Sequence, residues 1–180
     1  MALVLLAFAA MPVFASDGRI PVSDLNVVFI NVDLSQSQSN VRDDSEARRM
    51  RDTMTSQQHS LRNAVVDKLP ALLAAKGLPA QGYAVEFDMR GNPIRPAIVN
   101  PQNHLLVIAP ASAQSQCRRS ACFTVFTVTL RLLAPGVNVP LWESKLKEPI
   151  STLWERKPEA RFDEFLAEIA GTMAKAAARQ

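Results

Sequence analysis

The chain has 180 residues, of which 48% are hydrophobic and 21% charged, with a formal net charge of +3 at pH 7. This length and apolar content predict one domain with a substantial core, and the chain is too short for two full domains. No basic motif interleaved with aromatic residues occurs, which argues against a nucleic-acid-binding protein.

The first residues are typical of a secretory signal peptide. An apolar run begins at Ala2, and the pattern V-F-A that ends at Ala15 suits cleavage after that residue. We predict a signal peptide at residues 1–15 and a single α+β domain at residues 16–180. The mature protein is then expected in the periplasm or outside the cell.

Other features of the leader leave an alternative open. The apolar run is shorter than the roughly 20 residues that a membrane-spanning helix needs, so a retained anchor is the weaker interpretation. The first ten residues contain no Lys or Arg, which is unusual for a signal peptide. No cysteine lies near the cleavage point, and a lipid anchor would therefore lack its acceptor.

The N-terminal half of the domain predicts a strand followed by a helix. Residues 25–34 are rich in β-branched side chains, with apolar groups on both faces, and predict a strand buried on both sides. Residues 35–45 are polar and aperiodic, which predicts a loop. From Glu46 the apolar spacing becomes helical. The residues on this stripe are Ala47, Met50, Met54, Leu61, Val65, Leu69 and Leu72.

A proline interrupts this helical pattern. Pro70 has no backbone N–H and its ring clashes with the preceding turn. We therefore expect a kink or break near Leu69, followed by a second short helix that ends at Gly77.

The C-terminal half predicts four more strands and a helix. A half-exposed strand is expected at 83–89, another at 104–110, a cleanly alternating one at 123–133 and an edge-like one with protective lysines at 141–147. A last apolar stripe predicts the closing helix. Its members are Phe162, Phe165, Leu166, Ile169 and Met173. The predicted fold is an α+β two-layer sandwich, in which two main helices cover one face of a four- to five-stranded, mostly antiparallel sheet.

The two cysteines bracket the tip between two predicted strands. In an exported protein, Cys117 and Cys122 most simply form a disulfide that staples the hairpin. A redox site would instead show C-x-x-C at a helix N-terminus. Zinc needs four ligands, and besides the thiols only His59 and His104 are available, in distant segments. We predict neither a metal nor a cofactor.

Positive charge is concentrated in the middle of the chain. No acidic residue occurs between Asp88 and Glu143, and five arginines fall in that interval. The candidate binding residues are Arg90, Arg95, Arg118 and Arg119. They belong either to a solvated sheet surface or to a site for an anionic partner such as phospholipid or cell-wall polymer. If strands 83–89 and 104–110 pair antiparallel, the first two arginines lie at the opposite end of the sheet from the last two.

The sequence carries no recognisable catalytic motif. Neither a G-x-S-x-G elbow nor a glycine-rich phosphate-binding loop occurs. His59 is interpreted as a boundary residue of the first helix, and His104 as a loop residue at the start of a strand. Glu86 and Asp88 alternate onto one face and are interpreted as ordinary solvent-facing strand residues, although a carboxylate pair is the arrangement that glycosidases use. The proline-rich segment 91–103 is the long loop to test for function.

The order of elements from residue 25 to residue 180, with the phrase VTLRLLAPGVNVPLWESKLKEP, resembles several bacterial envelope lipoprotein families. They are the ABC-transport auxiliary lipoproteins, the curli-secretion lipoprotein and the activators of penicillin-binding proteins. The resemblance implies a non-catalytic envelope module, and it assigns no functional residue.

The sequence therefore predicts a non-catalytic, exported accessory protein that binds another envelope protein. One alternative is a small periplasmic hydrolase with a site around His104. Another is an inhibitor or immunity-type partner of an exported enzyme, bound through Arg118 and Arg119.

Overall fold

The computed structural model describes residues 22, 24–31, 44–87, 93–94, 96–118, 121–151 and 158–177. The predicted signal peptide and most of the predicted loop at 35–45 lie outside these ranges, while Asp44 and Ser45 already belong to a helix. In chain order the elements are β1 (Leu25–Ile30), α1 (Asp44–Ala74), β2 (Ala80–Phe87), β3 (Pro93–Ile94), β4 (His104–Arg118), β5 (Ala121–Leu133), β6 (Pro140–Ser151) and α2 (Pro158–Ala177).

The strands form one mixed sheet in the order β3-β2-β1-β4-β5-β6. β1 lies at the centre and pairs parallel with β2 on one side and with β4 on the other. The other three pairings are antiparallel. The predicted α+β fold with a mostly antiparallel sheet is confirmed, and the two-residue β3 adds a short strand inside the segment predicted to be irregular.

One hydrophobic core lies between the two helices and a single face of the sheet. The alternation predicted for β5 is confirmed, because from Phe126 to Leu132 one side of this strand is completely buried. Its core residues are Phe126, Val128, Leu130 and Leu132. The apolar stripe predicted for the last helix is also confirmed, since all five of its members are buried. The covered face of the sheet therefore has the packing of an ordinary two-layer sandwich.

α1 continues through Pro70, so a break near Leu69 and a second short helix were wrong, and the alternative of a kink stays a prediction. The proline cannot donate to the carbonyl of Val66, and a proline inside a helix costs about 3 kcal/mol or more. Leu69 and Leu73, on either side of it, are both 0% exposed. Burying each leucine contributes about 1.5–3 kcal/mol. Continuing the helix into the core therefore offsets the cost of the proline.

The Val66 carbonyl lies against β2. It has no helical donor, because Pro70 lacks an N–H. A Cβ atom built on Gly82 would be 2.1 Å from the carbonyl oxygen of Val66 and 2.8 Å from its carbon. Only glycine permits this approach of helix and strand. The register places Ala80 and Ala84 on the same face of β2 as Gly82. The face of β2 that carries only small residues thus lies toward the helices, and Tyr83 belongs to the opposite face.

The end of α1 is a Schellman motif. Gly77 has a φ of 80°, its N–H donates to the Ala74 carbonyl at 2.9 Å, and the Leu78 N–H donates to the Leu73 carbonyl at 3.0 Å. Leu73 and Leu78 are both buried, which completes the hydrophobic contact of this motif. Gly77 therefore terminates the helix, as predicted, with the last helical residue at Ala74.

Two of the later strands are longer than predicted. β4 reaches Arg118 instead of ending near residue 110, because its antiparallel pairing with β5 continues to the end of the hairpin. β6 spans Pro140–Ser151 instead of 141–147. The edge position predicted for β6 is confirmed among the described strands.

Candidate binding surfaces

The face of the sheet opposite the helices is the largest candidate surface, and we call it the open face. Both helices pack on the other side, so no described helix covers it. The register arranges its side chains in rows across the strands. The row through Val28 contains Tyr83, Val28, Val107, Arg131 and Glu143. Further along the strands Ile30 pairs with Val85, and Ala109, Thr129 and Lys145 form a separate row on β4, β5 and β6.

These rows divide the open face into two halves. The positions on β2, β1 and β4 form an apolar half, in which Val28 is only 5% exposed and Tyr83 and Val107 are half-buried. The positions on β5 and β6 form a charged half. There the Arg131 Nε donates to the Glu143 Oε2 at 2.8 Å, and both side chains are exposed. This hydrogen bond and the positive charges of Arg131 and Lys145 hold the pKa of Glu143 below its usual value.

A polar side chain is buried within the apolar half. Asn26 is 1% exposed, and its Nδ2 donates to the Asn100 carbonyl at 2.7 Å. Its Oδ1 is buried and has no hydrogen-bond partner among the described residues. A buried acceptor without a donor costs about 1–3 kcal/mol. The sequence signal for this site was an asparagine inside the apolar run LNVVFI, which our sequence analysis did not single out.

The segment 96–103 is tied to the open face at two points. Besides the Asn26 contact, the Val99 N–H donates to the Tyr83 hydroxyl at 3.2 Å. The same hydroxyl donates to Gln81 Oε1 at 2.8 Å. The Val99 side chain is nevertheless 71% exposed. The loop predicted as a functional candidate is therefore held beside the apolar half and adds an exposed apolar side chain to it.

The free edge of the sheet is the second candidate surface. On β6, Glu143 and Lys145 are exposed, whereas Trp142 and Leu146 pack against the core. Exposed apolar side chains lie just before this strand and at its start. They are Val137, Val139 and Leu141.

The cysteines are direct cross-strand neighbours, since Cys117 and Cys122 are paired in the β4–β5 ladder. Opposite Cα atoms in such a ladder are about 4.5–5.5 Å apart, within the range of about 4.4–6.8 Å found in disulfides. The backbone therefore has a spacing suited to the predicted staple. Both side chains lie outside the described part of the structure, and the disulfide stays a prediction.

The antiparallel pairing considered for strands 83–89 and 104–110 was wrong. β2 and β4 do not pair; each runs parallel to β1, so both run in the same direction. The end of β2 and the β4–β5 tip consequently lie toward the same end of the sheet. Arg90, Arg95 and Arg119 fall outside the described residues, and only the backbone of Arg118, paired with Ala121, is described. A shared anion site stays untested.

The residues considered for catalysis do not come together in the described structure. His59 is exposed on α1, and His104 starts β4, where its N–H donates to the Asp24 carbonyl at 3.2 Å. The side chain of Glu86 and all of Asp88 lie outside the described part. Within that part, no group of three or more His, Cys, Asp or Glu side chains is placed to hold a metal ion.

No protein-family model and no curated protein matches the chain. The chain is similar to lipoprotein GNA1162 from Neisseria meningitidis, with 13% identity over 85% of this chain and 99% of that chain, at a TM-score of 0.40. It is similar to a minor lipoprotein from Acinetobacter baumannii, with 11% identity over 89% of this chain and 97% of that chain, at a TM-score of 0.41. PelC from Paraburkholderia phytofirmans, a dodecamer, gives 12% identity over 90% and 92% at a TM-score of 0.40.

Bacterial lipoproteins are thus among the proteins with a loosely similar fold, and likeness of this degree assigns neither family nor function. It does not test the resemblance to transport-auxiliary, curli-secretion or penicillin-binding-protein-activator families. Neither α1 nor α2 combines the length and apolar character of a membrane-crossing helix.

Proposed function

We propose that the protein is an exported, non-catalytic binding protein of the bacterial cell envelope, and that it binds another envelope protein through the apolar half of its open face. The leader at residues 1–15 supports export. The observation that carries the binding role is the continuous row Tyr83–Val28–Val107, which spans three adjacent strands with no described helix above it.

The chemistry of this surface favours a protein partner. Tyr83 and Val107 are partly exposed and Val99 is largely exposed beside them, and neighbouring exposed apolar side chains commonly mark an interaction site. Where β1, β2 and β4 pair with one another, their open-face positions include no charged residue. An apolar side chain of a partner finds matching contacts there, whereas a phospholipid headgroup or an anionic cell-wall polymer would need cations.

Polar groups of the apolar half would orient the bound partner. A few well-placed polar groups among apolar side chains are the usual pattern of a specific site. In the proposed complex, a shift of the segment around Val99 and Asn100 opens Asn26 Oδ1 to a backbone N–H of the partner. This contact would give Asn26 Oδ1 the hydrogen bond that it lacks in the described structure.

A pair of equally exposed valines tests the proposal. Val99 is 71% exposed beside the apolar half, and Val139 is 70% exposed on the connection to β6. We expect Val99→Lys to reduce capture of the partner by roughly tenfold or more, because the partner's apolar side chain would face a charge. Val139→Lys should leave capture unchanged. The measurement is quantitative mass spectrometry of proteins crosslinked to the full chain in its own envelope, with thermal unfolding as the check on folding.

The outcomes separate the possible partners. Selective loss of one crosslinked envelope protein with Val99→Lys supports the proposal. Equal crosslinking of both variants overturns it. Binding of the purified protein to anionic phospholipid vesicles, unaffected by Val99→Lys, would assign the function to the arginines instead.

Export and the staple are tested together on protein isolated from the periplasm. We expect an intact mass that begins at Ser16, and no reactive thiol until a reductant is added, after which two should titrate. A reduced C117S/C122S variant serves as the thiol-free control. A cytosolic product that retains residues 1–15 would contradict export, and reactive thiols in the periplasmic protein would contradict the disulfide.

A further inference from the structure

The free edge of β6 is long enough to accept another strand. β5 occupies one side of β6, and among the described strands none pairs with the other side. The opposite edge of the sheet is partly closed, because β3 pairs with the end of β2. From Trp142 the ladder with β5 is regular, after a bulge at Leu141, and the first proline beyond it is Pro149. This stretch therefore has backbone groups available for strand addition.

From the side chains on this edge, we infer that β6 pairs antiparallel with β6 of a second copy of this chain, about a two-fold axis at Ser144. In this register Glu143 lies opposite Lys145 of the second copy, and Trp142 lies opposite Leu146 of the second copy. A two-fold axis repeats each pair, so the dimer contains two opposite-charge pairs and two apolar pairs. The edge is thus complementary to itself.

Neighbouring registers lose this complementarity. Moving the axis by one residue places Glu143 opposite Glu143, or Lys145 opposite Lys145, at the centre of the interface. Like charges directly opposite each other destabilise strand pairing. The charge pattern of β6 therefore selects the register centred on Ser144.

The surroundings of the edge are compatible with this pairing. Arg131 contacts one carboxylate oxygen of Glu143, at 2.8 Å, and the other oxygen can accept from Lys145 of the second copy. Trp142 and Leu146 pack on the core from the helix side of the sheet, so the apolar pair extends the core across the axis. The two-fold axis is perpendicular to the sheet and keeps both helix layers on the same side. This interface is separate from the apolar half of the open face.

Charge reversal at two positions tests the interface without depending on either variant alone. Glu143→Lys and Lys145→Glu each create two like-charge pairs in a homodimer, and we expect each to raise the dimer dissociation constant by at least about tenfold. A mixture of the two variants restores both opposite-charge pairs in a heterodimer. The measurement is sedimentation velocity of the full chain across a range of concentrations, with one variant fluorescently labelled.

The expected result is a wild-type dimer, two weakened homodimers and a 1:1 heterodimer in the mixture. The control is Glu168→Lys, an equal change of charge at an exposed position of α2, which should dimerise like the wild type. A monomeric wild type at every concentration would overturn the inference, as would variants that associate normally or a mixture that forms no heterodimer. Heterodimer formation also proves that both variants are folded.

Discussion

Both faces of β1 are buried from Leu25 to Phe29, and yet they have different surroundings. On one face, Leu25, Val27 and Phe29 are at most 1% exposed and pack into the core beneath the helices. On the other face, Asn26 and Val28 are 1% and 5% exposed, although no described helix covers them. Among the described residues, Val28 is flanked by Tyr83 and Val107, and Asn26 donates to the segment around Asn100. Low exposure at the centre of this sheet therefore does not by itself identify a helix layer.

One of the two largest expected effects comes from placing a side chain between α1 and β2 at Gly82. Gly82→Val would place a Cβ atom 2.1 Å from the Val66 carbonyl oxygen, and the shift of the helix should lower the free energy of unfolding by about 3 kcal/mol. Gly171→Ala is the control, since nothing lies within 4 Å of its Cβ position and alanine favours the helix. Urea denaturation measures both. A neutral Gly82→Val would contradict the close approach of helix and strand.

A pair of truncations compares the two faces directly. Leu130 is 0% exposed in the core, and Leu130→Ala should cost about 2–5 kcal/mol because it leaves a cavity beneath the helices. Val107 is half-buried on the open face, so Val107→Ala should cost about 1 kcal/mol or less. Equal losses in urea denaturation would mean that the open face is packed like a core, and would remove the basis for a binding role.

The smallest effect concerns the ion pair on the charged half. Arg131 holds the pKa of Glu143 below its usual value, so this carboxylate stabilises the fold above its unfolded-state pKa, and the contribution disappears as pH falls through the lower, folded-state pKa. Arg131→Gln should move the Glu143 pKa upward and flatten the pH dependence of stability in that window. NMR titration of the Glu143 carboxyl carbon measures the shift, with Lys68→Gln, which breaks a remote ion pair with Asp163, as the control. An unchanged titration in Arg131→Gln would refute the assignment.

Much of the secondary structure could be predicted from the sequence, since periodicity reports which side of an element is apolar. The alternation in β5 and the stripe of α2 are examples. The end of β4 could not be predicted, because residues 111–118 are mostly polar and are held in the sheet by backbone pairing with β5. The break predicted at Pro70 was wrong because a local rule was applied without the burial of Leu73, which only the tertiary fold determines.

Less of the candidate surfaces than of the fold could be predicted from the sequence. An asparagine among apolar residues marks Asn26 as unusual, but the sequence cannot show that its amide reaches Asn100, which is 74 residues away. The parallel pairing of β2 and β4 with β1 could not be predicted either. The apolar pattern of a strand shows which of its sides is buried, and it does not show which strands lie next to it. The edge position of β6 was predictable, since its exposed charges are typical of an edge.

The length of β4 has a mechanical consequence. The last residue of β4 that pairs with β1 is Ile108, whereas the strand ends at Arg118. Beyond Ile108 the β4–β5–β6 ribbon is no longer paired with the central strand, although Val128 and Phe126 of β5 still pack in the core. We therefore expect bending only nearer the hairpin tip, past the level of Phe126. Amide hydrogens near the hairpin tip should consequently exchange with solvent through local opening, while those at the level of Phe29 should exchange only when the whole domain unfolds.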